Sequence, residues 1–144
     1  MSTILFAGVR RADWPERLSM AVDEHLKEVD FIWGQTDCAV LFSDVVFAIT
    51  DCDPFEIAGR WSSALGAAKA LARTGHRSVK SFCDASFDTI SPSMARRGDA
   101  GYVGNPEDPL TSPAIVLGAE AISRGLDGWV RFPVSTLTTA YRIG

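Results

Sequence analysis

The chain has 144 residues, a formal net charge of -4 and a pI near 5.1, with 47% hydrophobic and 22% charged residues. That length suits one domain, residues 1–144, with a single sizeable core. The acidic balance excludes a nucleic-acid-binding surface, which needs a basic face against phosphate, and the densest basic sites are only the pairs Arg10-Arg11 and Arg96-Arg97.

Residues 1–9 hold one short apolar run and read as a short strand or an arm that needs cover from the domain or a neighbour. No basic leader or long apolar segment accompanies it, so a signal peptide is not expected. No apolar run approaches the roughly 20 residues of a membrane span. Asp13 then reads as the N-cap of a helix with Trp14 and Pro15 in its first turn. Trp14, Leu18, Ala21, Val22, Leu26 and Val29 recur at helical spacing, which carries this helix to about residue 29. Residues 31–34 form a loop, and Thr36 or Asp37 caps the next helix. From 38 to 49 only Ser43 and Asp44 interrupt an apolar run. A helix apolar nearly all round is a central, buried one.

Residues 50–54 break that pattern, and 55–61 read as a short helical turn. Ser62 or Ser63 starts a helix through Ala72, closed by Thr74-Gly75, and residues 78–85 form another short helix. Ser91-Pro92-Ser93 is a turn that leads into a helical turn at Met94. After Gly98 come short β-forming segments at 100–103, 114–117, 119–123, 128–134 and 140–143, separated by Gly, Pro, Asn and Asp. Helices first and strands after predict an α+β domain, with N-terminal helices packed on a C-terminal antiparallel sheet.

Three cysteines, Cys38, Cys52 and Cys83, form an odd set without a CxxC pair. They read as reduced thiols, with no structural zinc site and no cofactor expected. Asp44, Asp51 and Asp53 lack calcium-loop spacing. Trp33, Trp61 and Trp129 are either core or interface anchors or a sugar-stacking platform. These features point to a protein made in a cytosol, and kept there or built into an assembly there.

The chain is organised around residues 31–49, FIWGQTDCAVLFSDVVFAI. They put Cys38 in the first turn of the buried helix, where unpaired N–H groups and the helix dipole favour a thiolate. A hydrolytic nucleophile also needs a proton shuttle, nearly always His, and donors for the oxyanion. The Cys38 N–H and the Gln35 side-chain amide are candidate donors. Otherwise a free cysteine is a small buried hydrophobe. The chain has two histidines. His25 reads as a surface or half-buried residue of the first helix. His76, after Gly75, reads as a loop or C-cap residue and is the lesser candidate for a base. Asp37 reads as an N-cap and not an acid, and Asp99 as a turn residue before a strand.

Trp33-Gly34, Asp37-Cys38, Arg97-Gly98-Asp99 and Ile115-Val116-Leu117-Gly118 follow one another in that order. This series resembles the NlpC-type cell-wall cysteine peptidases of the papain-like superfamily. Their pattern is an aromatic-x-W-G segment, a D-C-S-G nucleophile motif, an R-x-G-D turn and an H-x-G-I-Y-x-G strand carrying the base. The opening WPERL of residues 14–18 and the DGWVRFP of residues 127–133 resemble a shorter branch from the tail-tip gene clusters of phages, prophages and gene-transfer agents.

The resemblance implies a papain-like fold with Cys38 at the nucleophile position. It also implies a place beside tail hub or baseplate proteins, at a virion tail tip assembled in the bacterial cytoplasm. Aligned on that pattern, Ser112 falls at the position of the catalytic His, and Ala114 replaces its Gly. Ala39 and Val40 replace the Ser-Gly after the nucleophile, and Ser123 falls near the third, His-orienting position. A serine hydroxyl titrates far outside the range in which imidazole works as a base. The expectation is therefore a structural or interaction subunit with a degenerate peptidase fold. The alternative is an active cysteine hydrolase that cleaves peptidoglycan peptides during cell-wall penetration, with His76 or a partner's residue as base. A third reading is a cytosolic binding module or assembly chaperone.

Overall fold

The apolar run after Asp37 folds as helix α2 (Cys38–Thr50), and its Leu41, Phe42, Val45, Val46 and Ile49 are essentially inaccessible to solvent. Each such side chain contributes roughly 1.5–3 kcal/mol on burial. This is a computed structural model that describes residues 6–27 and 30–144. Before α2 lies α1 (Trp14–Leu26), and after it come α3 (Ala64–Arg73) and α4 (Val79–Ser86). The strands follow: β1 (Asp88–Ile90), β2 (Ala100–Tyr102), β3 (Ala114–Val116), β4 (Glu120–Gly125), β5 (Gly128–Pro133) and β6 (Thr139–Arg142). They form one antiparallel sheet in the order β1-β6-β2-β3-β4-β5. The protein is thus an α+β domain of N-terminal helices and a C-terminal antiparallel sheet.

Strand register explains how the two halves join. Tyr141 pairs with Ala100, Ala100 with Ile115, and Ile115 with Ile122. Directly opposed residues share a sheet face, so these four form a row across β6, β2, β3 and β4. All four belong to the same buried cluster as α2 and as Leu18 and Val22 of α1. No helix among the described residues is long and apolar enough to cross a membrane.

Several local expectations change. The side chain of Asp13 makes no cap bond; it accepts instead from Arg17 Nε, 3.1 Å away. Within the expected N-terminal strand or arm, residues 1–5 lie outside the described part, and residues 6–9 form no strand. Phe6 N–H donates to Ser86 O (2.6 Å), and its ring packs 5.0 Å from that of Phe87. Strand β1 was not expected, because Asp-Thr-Ile is too short to show a period. It forms because β6 offers it an edge, pairing Asp88 with Arg142 and Ile90 with Ala140.

Asp99 is more than a turn residue. It is 0% exposed, and Oδ1 accepts from Arg10 Nη2 (2.8 Å) and Ile143 N–H (3.1 Å), while Oδ2 accepts from Arg96 N–H (2.9 Å). Arg10 also donates from Nε to Ile143 O (2.7 Å) and from Nη1 to Arg97 O (2.9 Å). With Arg142 Nε also 3.7 Å from Oδ2, Asp99 ties the N-terminal segment, the turn before β2 and the C-terminal end together. Gly98 sits at φ +91°, and a Cβ there would press within 3.0 Å of the Arg10 guanidinium.

Gly34 is constrained more severely. It has φ +81°, and a Cβ would overlap the carbonyl oxygen of Trp61. Gly34→Ala is expected to destabilise the fold by about 2–3 kcal/mol, combining left-handed backbone strain with a backbone clash. A urea titration reads this directly, and a loss below about 0.5 kcal/mol would contradict the close approach of these loops.

Candidate functional site

Asp37 sets the head of α2. Its backbone is extended (φ -73°, ψ 169°), and Oδ1 accepts the Val40 N–H at 2.9 Å, which caps the helix. Oδ2 accepts the Gly34 N–H and the Trp61 indole N–H, both at 2.7 Å. The side chain is thus fully engaged at 1% exposure. Three donors hold this carboxylate as an acceptor, so it positions the loop and does not shuttle protons. The cap fixes Cys38 in the first turn.

The Cys38 thiol lies between two groups of the segment that precedes β3. Ser112 N–H donates to Sγ (3.4 Å), and the thiol donates to Leu110 O (3.7 Å). Ser112 is 1% exposed, and its hydroxyl has no hydrogen-bond partner among the described residues. That hydroxyl also favours the thiolate, by less than the Ser112 amide does. Burial pushes the Cys38 thiol up, the Ser112 amide pulls it down by less, and the Asp37 charge pushes it up again. The helix terminus was expected to favour a thiolate. Desolvation wins because the sulfur sits among protein atoms with a carboxylate beside it. At neutral pH this thiol stays protonated.

The remaining candidates divide between two places. Ser123 of β4 lines the same cleft as Cys38 and Ser112. Gln35 does not: it is exposed and borders a separate pocket of about 330 Å³ with His25, Thr36 and Asp44, so it is not placed to assist Cys38 as an oxyanion donor. His76 is also elsewhere. Its Nδ1 pairs with Ser81 Oγ (2.8 Å), its ring stands edge-on to Phe82 (5.7 Å), and it does not line the Cys38 cleft. The reading of His25 as a surface or half-buried residue is corrected: it is only 6% exposed. Its ring N–H donates from Nε2 to Asp44 Oδ2 (2.7 Å), while Nδ1 has no partner among the described residues. The signal was present in the sequence, because 18, 22 and 25 follow the helical repeat of the buried stripe.

The cleft itself is a volume of about 860 Å³ walled by the helical half, residues 106–112 and the sheet. Phe31, Trp33, Phe55, Trp61, Phe82 and Tyr102 give it an aromatic lining. These residues come from widely separated segments, so no spacing rule gathers them. Trp33 and Trp61 line this cleft, whereas Trp129 stacks on the Arg124 guanidinium, 4.9 Å away. Leu126 and Val103 stand at its border, 69% and 50% exposed. Among the described residues, no group of three or more His, Cys, Asp or Glu side chains could hold a metal ion.

Fold and site together define an α+β domain with an apolar cleft that bears a neutral thiol. The chain belongs to the DUF6950 family, described as a domain of unknown function, whose model matches residues 9–143. No curated protein and no solved structure matches the chain.

Proposed function

We propose that this protein is a non-catalytic structural or interaction subunit of a phage-like tail tip or baseplate, built on a degenerate NlpC-type cysteine peptidase fold. The observation that carries the loss of catalysis is the environment of Cys38. The neighbour at the expected base position is Ser112, whose backbone N–H, and not an imidazole, meets the sulfur. A thiol that donates to a backbone carbonyl and not to a base, pushed up by burial, offers neither the thiolate nor the shuttle that acyl transfer requires. The tail-tip assignment, with hub or baseplate partners and assembly in the bacterial cytoplasm, is supported by the ordered sequence motifs. The alternative, hydrolysis of peptidoglycan peptides, draws support from a thiol that is only half-buried and opens on a cleft.

Cys52 is exposed and supplies an internal reference thiol. Because the Cys38 pKa is raised, its protonated form persists to higher pH, and its thiolate fraction at pH 7 falls below that of an ordinary thiol. Iodoacetamide should therefore label Cys38 more slowly than Cys52 at pH 7, with the Cys38 rate rising at higher pH. Purified muropeptides should remain uncleaved. Cleavage abolished by Cys38→Ala, or faster labelling of Cys38 than of Cys52 near neutrality, would establish the hydrolase instead. Mass spectrometry of purified particles tests the assignment to the tail, and absence of the chain from them refutes it.

A further inference from the structure

We propose that the aromatic cleft beside Cys38 is a binding site for an uncharged, mainly apolar ligand with a single hydrogen-bonding head, of the acyl amide or acyl ester class. This goes beyond the tail-tip reading and rests only on the geometry of the cleft. Its volume of about 860 Å³ lies within the usual range for small-molecule sites. Its lining is mainly apolar, with aromatic rings beside aliphatic side chains such as Leu71, Leu110 and Val130. Water gains little from such walls, so an apolar body displaces it favourably.

The wall at residues 106–112 rules against an extended peptide. A bound peptide needs partners for its own N–H and C=O groups. Here the wall's backbone is engaged internally. Pro109 O accepts from Val79 N–H (2.9 Å), Leu110 O from the Cys38 thiol, and Thr111 O from the Tyr102 hydroxyl (2.7 Å). Leu110 N–H donates to Asp108 Oδ1 (2.9 Å), Thr111 N–H to Asp108 O (3.1 Å), and Ser112 N–H to the Cys38 sulfur. Across residues 109–111 each backbone N–H and C=O group is thus already engaged.

What remains is a hydrocarbon body with one polar contact. The cleft supplies that contact at Cys38 and Ser112, where the thiol lies beside a buried hydroxyl that has no partner among the described residues. The Ser112 hydroxyl is a donor without an acceptor among the described residues, which suits a carbonyl oxygen. Asp37, Glu107 and Asp108 line the cleft against one guanidinium, that of Arg124, which is stacked on Trp129, so an anionic head is disfavoured.

Isothermal titration of the full chain with octanamide, hexanamide and octanoate tests the assignment. Trp33 and Trp61 fluorescence gives a second readout from within the cleft. Octanamide should bind saturably, and hexanamide about fifteenfold more weakly, at about fourfold per methylene removed. Octanoate should bind more weakly than octanamide. Octanamide should also slow the alkylation of Cys38 and leave that of Cys52 unchanged, which needs no variant. Ser112→Ala should lower octanamide affinity about fivefold, the worth of one hydrogen bond. Absence of saturable binding, affinity independent of chain length, or no protection of Cys38 would overturn the proposal. So would tighter binding of an apolar hexapeptide than of octanamide.

Discussion

Replacing Asp37 by Ala is expected to remove about 3–5 kcal/mol of folding stability, read as a lower urea midpoint. Three donors depend on this one buried carboxylate: Val40 N–H, Gly34 N–H and the Trp61 indole N–H. Hydrogen bonds to a charged group are worth about 1.5–3 kcal/mol each, and a helix cap about 1. The sum is not additive, since one substitution removes all three and water re-enters part of the site. Two of the orphaned donors sit where the loop before α2 meets Trp61, so the loss should loosen the wall of the cleft as well as the helix end. Asp37→Asn keeps the volume and one oxygen acceptor, and should cost about 1–2 kcal/mol. It carries a separate signature. The Asp37 charge helps to keep the Cys38 thiol protonated, so its removal should speed Cys38 alkylation at neutral pH. Unchanged stability in Asp37→Ala would refute the clasp, and unchanged alkylation in Asp37→Asn would refute the electrostatic coupling.

The second large effect is expected at Asp99. Asp99→Ala should cost about 3–5 kcal/mol, the usual penalty for breaking a buried ion pair from one side. It strands the Arg10 guanidinium and leaves the Ile143 and Arg96 N–H groups without their acceptor. Arg10→Met should also destabilise, because it removes the bonds to Ile143 O and Arg97 O. The double variant should lose less than the sum of the two single losses, because each single variant already breaks the contact between the two side chains. Chemical denaturation of the four proteins completes the cycle. Strict additivity would mean that the two side chains act independently, contrary to their 2.8 Å contact.

Legibility along this chain follows sequence distance. Helix α2 is written locally, in an acidic cap and a run of apolar residues, and α3 and α4 are announced by Ser63 and Ser78 caps that bond Gly66 and Ser81. Strand β1 carries no comparable signal; its partner β6 lies some fifty residues onward and decides it. At the site, Cys38 stood out because a helix start is local. The meeting of Cys38 with Ser112, 74 residues apart, was approachable only through aligned motifs. Gln35 illustrates the opposite case. Three residues before the thiol in sequence, it borders a different pocket, because the tight turn at Gly34 and the Asp37 cap separate the two.

By itself, then, the order of residues determined the class of the domain, its central helix and the position of its thiol. Hydrophobic periodicity and capping act within a few residues of one another, so they survive in a one-dimensional reading. The tertiary structure alone decided the upward shift of the Cys38 thiol, the burial of Asp99, and the aromatic cleft. Those properties depend on how many atoms from distant segments crowd a given point. Desolvation, unlike a helix cap, has no spacing.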